Sequence, residues 1–192
     1  MPAVDLASLR AATDPVIVQF AAAEPRRWDR PALLLELAAE LGSLAHLVQH
    51  WDGFKRGGPK PSCLADECSD VLFIVLRLGR EDRIQLPDRL EYRPVESARA
   101  TPTLLAMYGE VAGIQQPGGD SGLLSLIGHL AALCDLFRID LVQSHRLEMR
   151  IAVEYFAACG PCWPKLNPLR YPRATWRLWR SLRQRGRTEG IL

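Results

Sequence analysis

Lysine is scarce in this 192-residue chain: Lys55, Lys60 and Lys165 are the whole complement, and every other basic residue is arginine. Long apolar runs are missing as well. The longest strictly apolar stretch, Val71 to Leu76, falls far short of the roughly 20 residues that a membrane-spanning helix needs. The opening MPAVDLASLR lacks the basic-then-apolar order of a secretory signal. Cysteines are few and odd in number, five in all, which argues against a disulfide scaffold and for a reducing, cytoplasmic setting. No stretch alternates in the manner of a half-buried strand. What survives these exclusions is a helical globular chain. Its 48% hydrophobic content rules out disorder, and a chain of this length buries about two-thirds of its unfolded surface.

The formal net charge of +2 hides an uneven distribution. Residues 165–192 carry Lys165 and seven arginines against Glu189 alone, so the remainder is net acidic. An arginine-rich tail with Trp176, Trp179 and Leu182 on one side suits an acidic partner, a membrane surface or nucleic acid, or packing on the acidic body.

Periodicity predicts six helices. Val4, Leu6, Leu9, Val16, Ile17 and Phe20 stripe a first helix over 4–24, with Pro15 as an expected break. The linker PRRWDRP follows, and Pro31 suits the first residue of the next helix. From Ala32 to Trp51, leucines at 33, 34, 37, 41, 44 and 47 recur at three- and four-residue intervals. A third helix over 62–78 is apolar on most sides beyond Val71, which marks it as central. Further helical patterns start at Thr103, Leu123 and Leu141, with PGGDSG breaking the first from the second. The expected class is all-α. The expected organisation is an N-terminal helix and linker (1–31), a helix pair (32–95), a second helix pair (102–158) and a basic tail (159–192).

Four carboxylates stand out on the first pair. Glu36 and Glu40 share a face of the second helix, and Glu67 and Asp70 share a face of the third. Asp66 points elsewhere, more toward solvent. A short loop makes the two helices antiparallel neighbours, so the four groups can converge. Converging carboxylates on an apolar pair repel one another and resist desolvation unless a cation is present. Oxygen-only ligands favour Mg²⁺ or Mn²⁺, which neutralise phosphate oxygens and acidify bound water. A solvated acidic face is the plainer reading of the same spacing.

The stretch from Phe20 to Leu86 resembles the all-α nucleotide pyrophosphohydrolases, the MazG-like superfamily, and especially its dCTP pyrophosphatase branch. Phe20, Ala21, Ala22, Glu24 and Trp28 match its Phe-Ala-Ala-Glu-Arg-x-Trp-like segment. AELGSLAHLVQHW puts Glu40 on the family's first glutamate, with Gln49 and Trp51 near its Gln-Trp. LADECSDVLFIVLRL puts Glu67 and Asp70 on two acidic ligands. The resemblance implies a four-helix core and Mg²⁺-dependent cleavage of a nucleoside triphosphate to monophosphate and pyrophosphate, with a pyrimidine deoxynucleotide as one substrate class. It implies a homodimer as one assembly, and Trp28, Trp51 and Arg93 beside the substrate. Glu40, Glu67 and Asp70 would hold the metal; Glu36, one turn before Glu40 at a spacing that is not the family's, would be a fourth ligand.

Departures from the pattern favour a second reading, a catalytically inactive nucleotide-binding or protein-interaction module. Ser43 stands at the family's second glutamate, and the lysine and asparagine expected after the third helix are absent. The second pair resembles the family more faintly. Gly109-Glu110-Val111 matches a Gly-Glu-Val, while Gly113, Gly122 and Ser125 occupy acidic-ligand positions. This half would be a degenerate repeat, with Arg146 and Arg150 near phosphate-contacting positions. RLEYR at 89–93 echoes RLEMR at 146–150 as weak further support for duplication.

Two other motifs are weaker. Gly119-Asp120-Ser121-Gly122 looks like a protease nucleophile segment by coincidence, and Ser121 is more simply a helix cap. Cys159-Gly160-Pro161-Cys162 lacks the preceding strand of a thioredoxin-like site and a second zinc-ligand pair, so a structural role outweighs redox or metal chemistry. The four histidines form no ligand motif.

Overall fold

The computed structural model of the chain describes residues 1–24, 26–114 and 120–159. Cys162 and the arginine-rich tail lie outside the described residues. The helices are α1 (Leu6–Ala23), α2 (Arg30–Trp51), α3 (Pro61–Glu81), α4 (Thr101–Ile114), α5 (Asp120–Phe137) and α6 (Leu141–Cys159), with two strands, β1 (Ala3–Asp5) and β2 (Arg89–Glu91). The class is all-α, as expected, and the helix ends fall within about three residues of the predicted ones.

Local chemistry explains the starts. Asp5 caps α1 by accepting from the Ser8 amide at 2.9 Å. Asp29 caps α2 by accepting from the Ala32 amide at 3.1 Å, with Pro31 in the first turn. Pro15 does not break α1, contrary to expectation. Leu9, Thr13, Val16 and Ile17 are buried on both sides of it, and that burial holds the helix together across the missing hydrogen bond. Ser121 lies inside α5, not at its cap, because the helix already begins at Asp120.

The strand prediction needs correction. β1 and β2 pair antiparallel, with Val4 opposite Leu90. Three-residue strands are too short to show alternation, so nothing in the pattern marked them. The same finding removes the RLEYR echo: residues 89–91 are a strand, whereas 146–150 are helical.

Packing follows the stripes. Leu33, Leu37, Leu41, Leu44 and Val48 of α2 are buried, at intervals of three and four. By length and composition alone this helix could cross a membrane. Leu33, Leu37, Leu41 and Leu44 of this helix are nevertheless core residues, whereas Leu35 is exposed. Truncating one, as in Leu37→Ala, costs about 2–5 kcal/mol. α3 is buried without interruption from Val71 to Gly79 and touches α1, α2, α5 and α6. α2 packs on α3, α4 on α5, α3 on α5 and α2 on α4. α1 and α6 pack on each other and on α3.

Polar ties lock these contacts. Asp52, which ends α2, accepts from the amides of Ala100 (2.9 Å) and Thr101 (2.8 Å) and so caps α4. His145 of α6 is fully buried between Thr13 Oγ1 (2.7 Å) and Ser69 Oγ (2.9 Å), joining α1, α3 and α6. Burial lowers its pKa to about 4, so it is neutral.

A candidate acidic metal centre

Helical pitch decides which carboxylates meet. Glu36 and Glu40 flank the leucine stripe of α2 one turn apart, and Glu67 and Asp70 do the same on α3. Glu40, Glu67 and Asp70 each offer a carboxylate oxygen, and all three oxygens lie within 4.8 Å of one another. Glu36 is outside that trio but lines the same cavity, about 450 Å³, with Glu40 and Asp70. Glu148 of α6 closes the cavity from the other side, and Phe20 and Tyr155 form its apolar wall. A smaller recess of about 140 Å³ adjoins Glu36, Glu40 and Asp70 and reaches Trp28, Phe73 and Arg77.

Burial, then mutual repulsion, makes these groups reluctant to ionise. Burial pushes the Glu40 carboxyl up to about 7, helped by the charges of Glu36, Glu67 and Asp66. Asp70 rises to about 8 through burial and then through Asp66, Glu40, Glu67 and Glu148. Glu148 rises to about 7 through burial and the charge of Asp66. Glu67 is raised by burial and by Asp66. Asp66, expected to point away toward solvent, is exposed as a residue, yet burial raises its carboxyl too and its charge reaches Glu40, Glu67, Asp70 and Glu148. Arg77, the cation in the recess wall, is already paired with Glu24 at 2.5 Å.

Three carboxylate oxygens this close, with no nitrogen or sulfur donor among them, can coordinate a divalent cation. A doubly charged ion would favour the ionised forms that the carboxylates' repulsion now disfavours. Its site would open onto a cavity large enough for a small organic ligand.

The other expected contacts divide. Trp28 borders the recess beside Glu36, Glu40 and Asp70. Trp51 stands at the far end of α2, edge-on to Phe137 with ring centroids 4.9 Å apart. Arg93 is exposed and lines a separate cavity of about 590 Å³ with Ser125 and His129. Arg146 and Arg150 are exposed on α6, and neither lines the acidic cavity. Two residues along a helix turn the side chain by about 200°. Glu148, midway between the two arginines, therefore faces inward where they do not.

Glu148 and Arg77 escaped the sequence reading. Glu148 had a signal: Ala152 and Tyr155 follow it at i+4 and i+7 and line the same cavity. Arg77 interrupts the most apolar helix of the chain and is 1% exposed, an unusual place for a guanidinium.

The second helix pair holds a different arrangement at comparable places. Ser125 Oγ of α5 donates to Glu110 Oε1 of α4 at 2.6 Å, and His129 Nε2 lies 3.9 Å from the same oxygen. A Cβ on Gly122 would meet Ile114 Cγ1 at 2.7 Å, so a larger residue there must displace its neighbour. Here one carboxylate is answered by a hydroxyl.

No protein-family model matches the chain, and no curated protein or solved structure matches it either.

Proposed function

We propose that the chain is a Mg²⁺-dependent nucleoside triphosphate pyrophosphohydrolase. The observation that carries this reading is the convergence of Glu40, Glu67 and Asp70 within 4.8 Å, with Glu40 and Asp70 lining a ligand-sized cavity. In this reading α2, α3, α4 and α5 are the four-helix core of a MazG-like fold, and α4–α5 is a repeat that has lost its acidic ligands. Glu40, Glu67 and Asp70 hold the metal, with Glu36 as a further ligand. Mn²⁺ substitutes for Mg²⁺ on the same donor chemistry. When bound, the ion neutralises phosphate oxygens and stabilises the pyrophosphate leaving group.

The chain's own side chains supply the rest. Trp28 and the aromatic wall bind the nucleoside and exclude water. Glu148 faces the cavity from α6 without belonging to the trio, so its carboxylate is available to take the proton of the attacking water. Water adds to the α-phosphorus, the bond to the α–β bridging oxygen breaks, and monophosphate and pyrophosphate leave. A pyrimidine deoxynucleotide is the substrate class to test first.

A second reading, nucleotide binding without turnover, is favoured by Ser43, which is exposed on α2 and adds no charge to the trio. A screen of nucleoside triphosphates in ¹⁸O-water separates the two readings. Hydrolysis predicts pyrophosphate release with the label in the monophosphate. No release with Mg²⁺ or Mn²⁺ across the panel would sink the catalytic reading.

A further inference from the structure

The turn between α2 and α3 holds an aromatic ring out in water. Phe54 is 64% exposed, and Trp51, the last residue of α2, is 37% exposed. Burying a Phe is favourable, and a slack loop is free to fold one inward. This turn is not slack. The Phe54 and Lys55 amides donate to the Gln49 carbonyl at 2.8 and 3.1 Å. His50 Nδ1 lies 3.0 Å from the Arg56 carbonyl and 2.9 Å from that of Gly57; carbonyls only accept, so this nitrogen carries the proton and donates. Gly53 and Gly57 both sit at φ +80°, a conformation that glycine adopts without strain.

The ring is set among cations. Lys55, Arg56 and Lys60 belong to the same turn and are exposed. Lys55 Nζ donates to His46 Nδ1 at 2.8 Å, which leaves its charge unbalanced. Asp52, the one carboxylate of the turn, is spent on the Ala100 and Thr101 amides. Arg99 directly precedes that Ala100, and Arg138 directly follows Phe137, whose ring meets Trp51. The carboxylates flanking Arg138 in sequence are engaged: Asp135 accepts from the Tyr92 hydroxyl and Asp140 from the Gln143 amide. Among the described residues none of these five cations makes an ion pair, whereas Arg10, Arg27, Arg30, Arg77 and Arg80 each hold a carboxylate.

Shape restricts the partner. Residues 53–58 are all exposed, so ring and cations form a convex tip. A single nucleic-acid strand instead follows a charged groove and stacks its bases on successive rings. Trp51 is held edge-on by Phe137 and offers no second open face beside Phe54. A flat layer of anionic headgroups accepts such a tip. Each cation near it is worth roughly a fivefold gain in affinity, and an aromatic ring is at home at the level of the headgroups.

We infer that the α2–α3 turn docks the chain on an anionic membrane surface, with Phe54 entering the headgroup layer and Lys55, Arg56 and Lys60 meeting the lipid anions around it. The contact is peripheral: α2 itself stays in the core, and the acidic body faces away from the lipid.

The test is sedimentation of the full chain with vesicles of phosphatidylcholine, alone or with roughly one-third phosphatidylserine. The wild-type chain should sediment with the anionic vesicles at low salt and stay in solution with the neutral ones. Phe54→Ser should weaken that binding about tenfold, and Arg56→Glu roughly thirtyfold. Arg83→Glu, the same change of charge beyond the far end of α3, should bind within about twofold of wild type. The turn is closed by backbone atoms and His50, so all three variants should melt as the wild type does; if Arg56→Glu does not, Phe54→Ser decides. No binding by the wild-type chain, or binding that both tip variants retain, would overturn the inference. An equal loss in Arg83→Glu would reduce the binding to net charge and overturn it as well. Tip variants that lose an oligothymidine strand but keep the vesicles would place a nucleic acid there instead.

Discussion

The two helix pairs solve one problem in opposite ways. In α2–α3, carboxylate oxygens of Glu40, Glu67 and Asp70 lie within 4.8 Å of one another. In α4–α5, Glu110 faces Ser125, whose hydroxyl satisfies it at 2.6 Å. The first arrangement keeps repulsion that a proton or a cation must relieve, and the second removes the repulsion. Stability alone favours the second, so the first needs another reason to exist. Functional sites are where local physical rules are broken and the cost is met by the rest of the fold.

The largest expected effect breaks the comparison at its catalytic end. Glu67→Gln should lower metal-dependent pyrophosphate release by at least about a hundredfold. Glu110→Gln should leave it within about twofold, measured in the same assay. Equal loss in both variants would mean that the two pairs do not differ in the way described.

Next comes the pH dependence of stability without metal. Glu40, Asp70 and Glu148 have folded pKa values of about 7, 8 and 7, above their ordinary values of 4.5, 3.8 and 4.5. The folded chain therefore binds more protons than the unfolded one over that range. Their contribution is full below the unfolded values and is lost as the pH rises through 7 to 8. His145 has the opposite sign: its folded value of about 4 lies below the ordinary 6.5. Its contribution is present above 6.5 and is lost as the pH falls toward 4. Three such carboxylates outweigh one histidine, so melting temperature in chelator should decline from about pH 5 to pH 8, with His145 only making the slope shallower below 6.5. Saturating Mg²⁺ at a hundred times its dissociation constant adds about 2.7 kcal/mol through linkage, and most visibly at pH 8. A chelator profile that keeps rising to pH 8 would contradict the assignment of raised pKa values to this cluster.

A smaller effect comes from giving the second pair the first pair's chemistry. Ser125→Asp replaces the hydroxyl that answers Glu110 with a second carboxylate. It should destabilise the metal-free chain by about 1–2 kcal/mol at neutral pH, read by urea titration, with partial rescue at low pH. The smallest effect is steric. Gly122→Ala sets a Cβ 2.7 Å from Ile114 Cγ1, at a cost of about 1 kcal/mol offset in part by better helix propensity. An increase in stability would show that Ile114 moves aside freely.

Much of the fold was legible in the sequence. Leucines at three- and four-residue intervals marked α2, and an unbroken apolar run marked α3 as the central helix, because burial and helical pitch are both local in sequence. The acidic trio was legible for the same reason, since spacing on two neighbouring helices sets the facing residues. What long-range packing decides was not. β1 and β2 come from chain segments more than 80 residues apart and carry too few residues for a pattern. Glu148 enters the cavity only because α6 crosses α3, and its flanking arginines drew attention to the wrong face. Trp51 and Arg93 have suitable chemistry, yet the length of α2 and the path after α3 carry them away from the acidic groups. Arg77 was hidden in an apolar helix, where a charge is informative once its burial is known.

The central claim is that one helix pair holds a divalent cation and the other does not. Electron paramagnetic resonance of Mn²⁺ tests it directly, because binding removes the sharp signal of the free aquo ion. The account predicts uptake by the wild-type chain and by Glu110→Gln, and none by Asp70→Asn. No uptake by the wild-type chain, or equal uptake by Asp70→Asn, would contradict it.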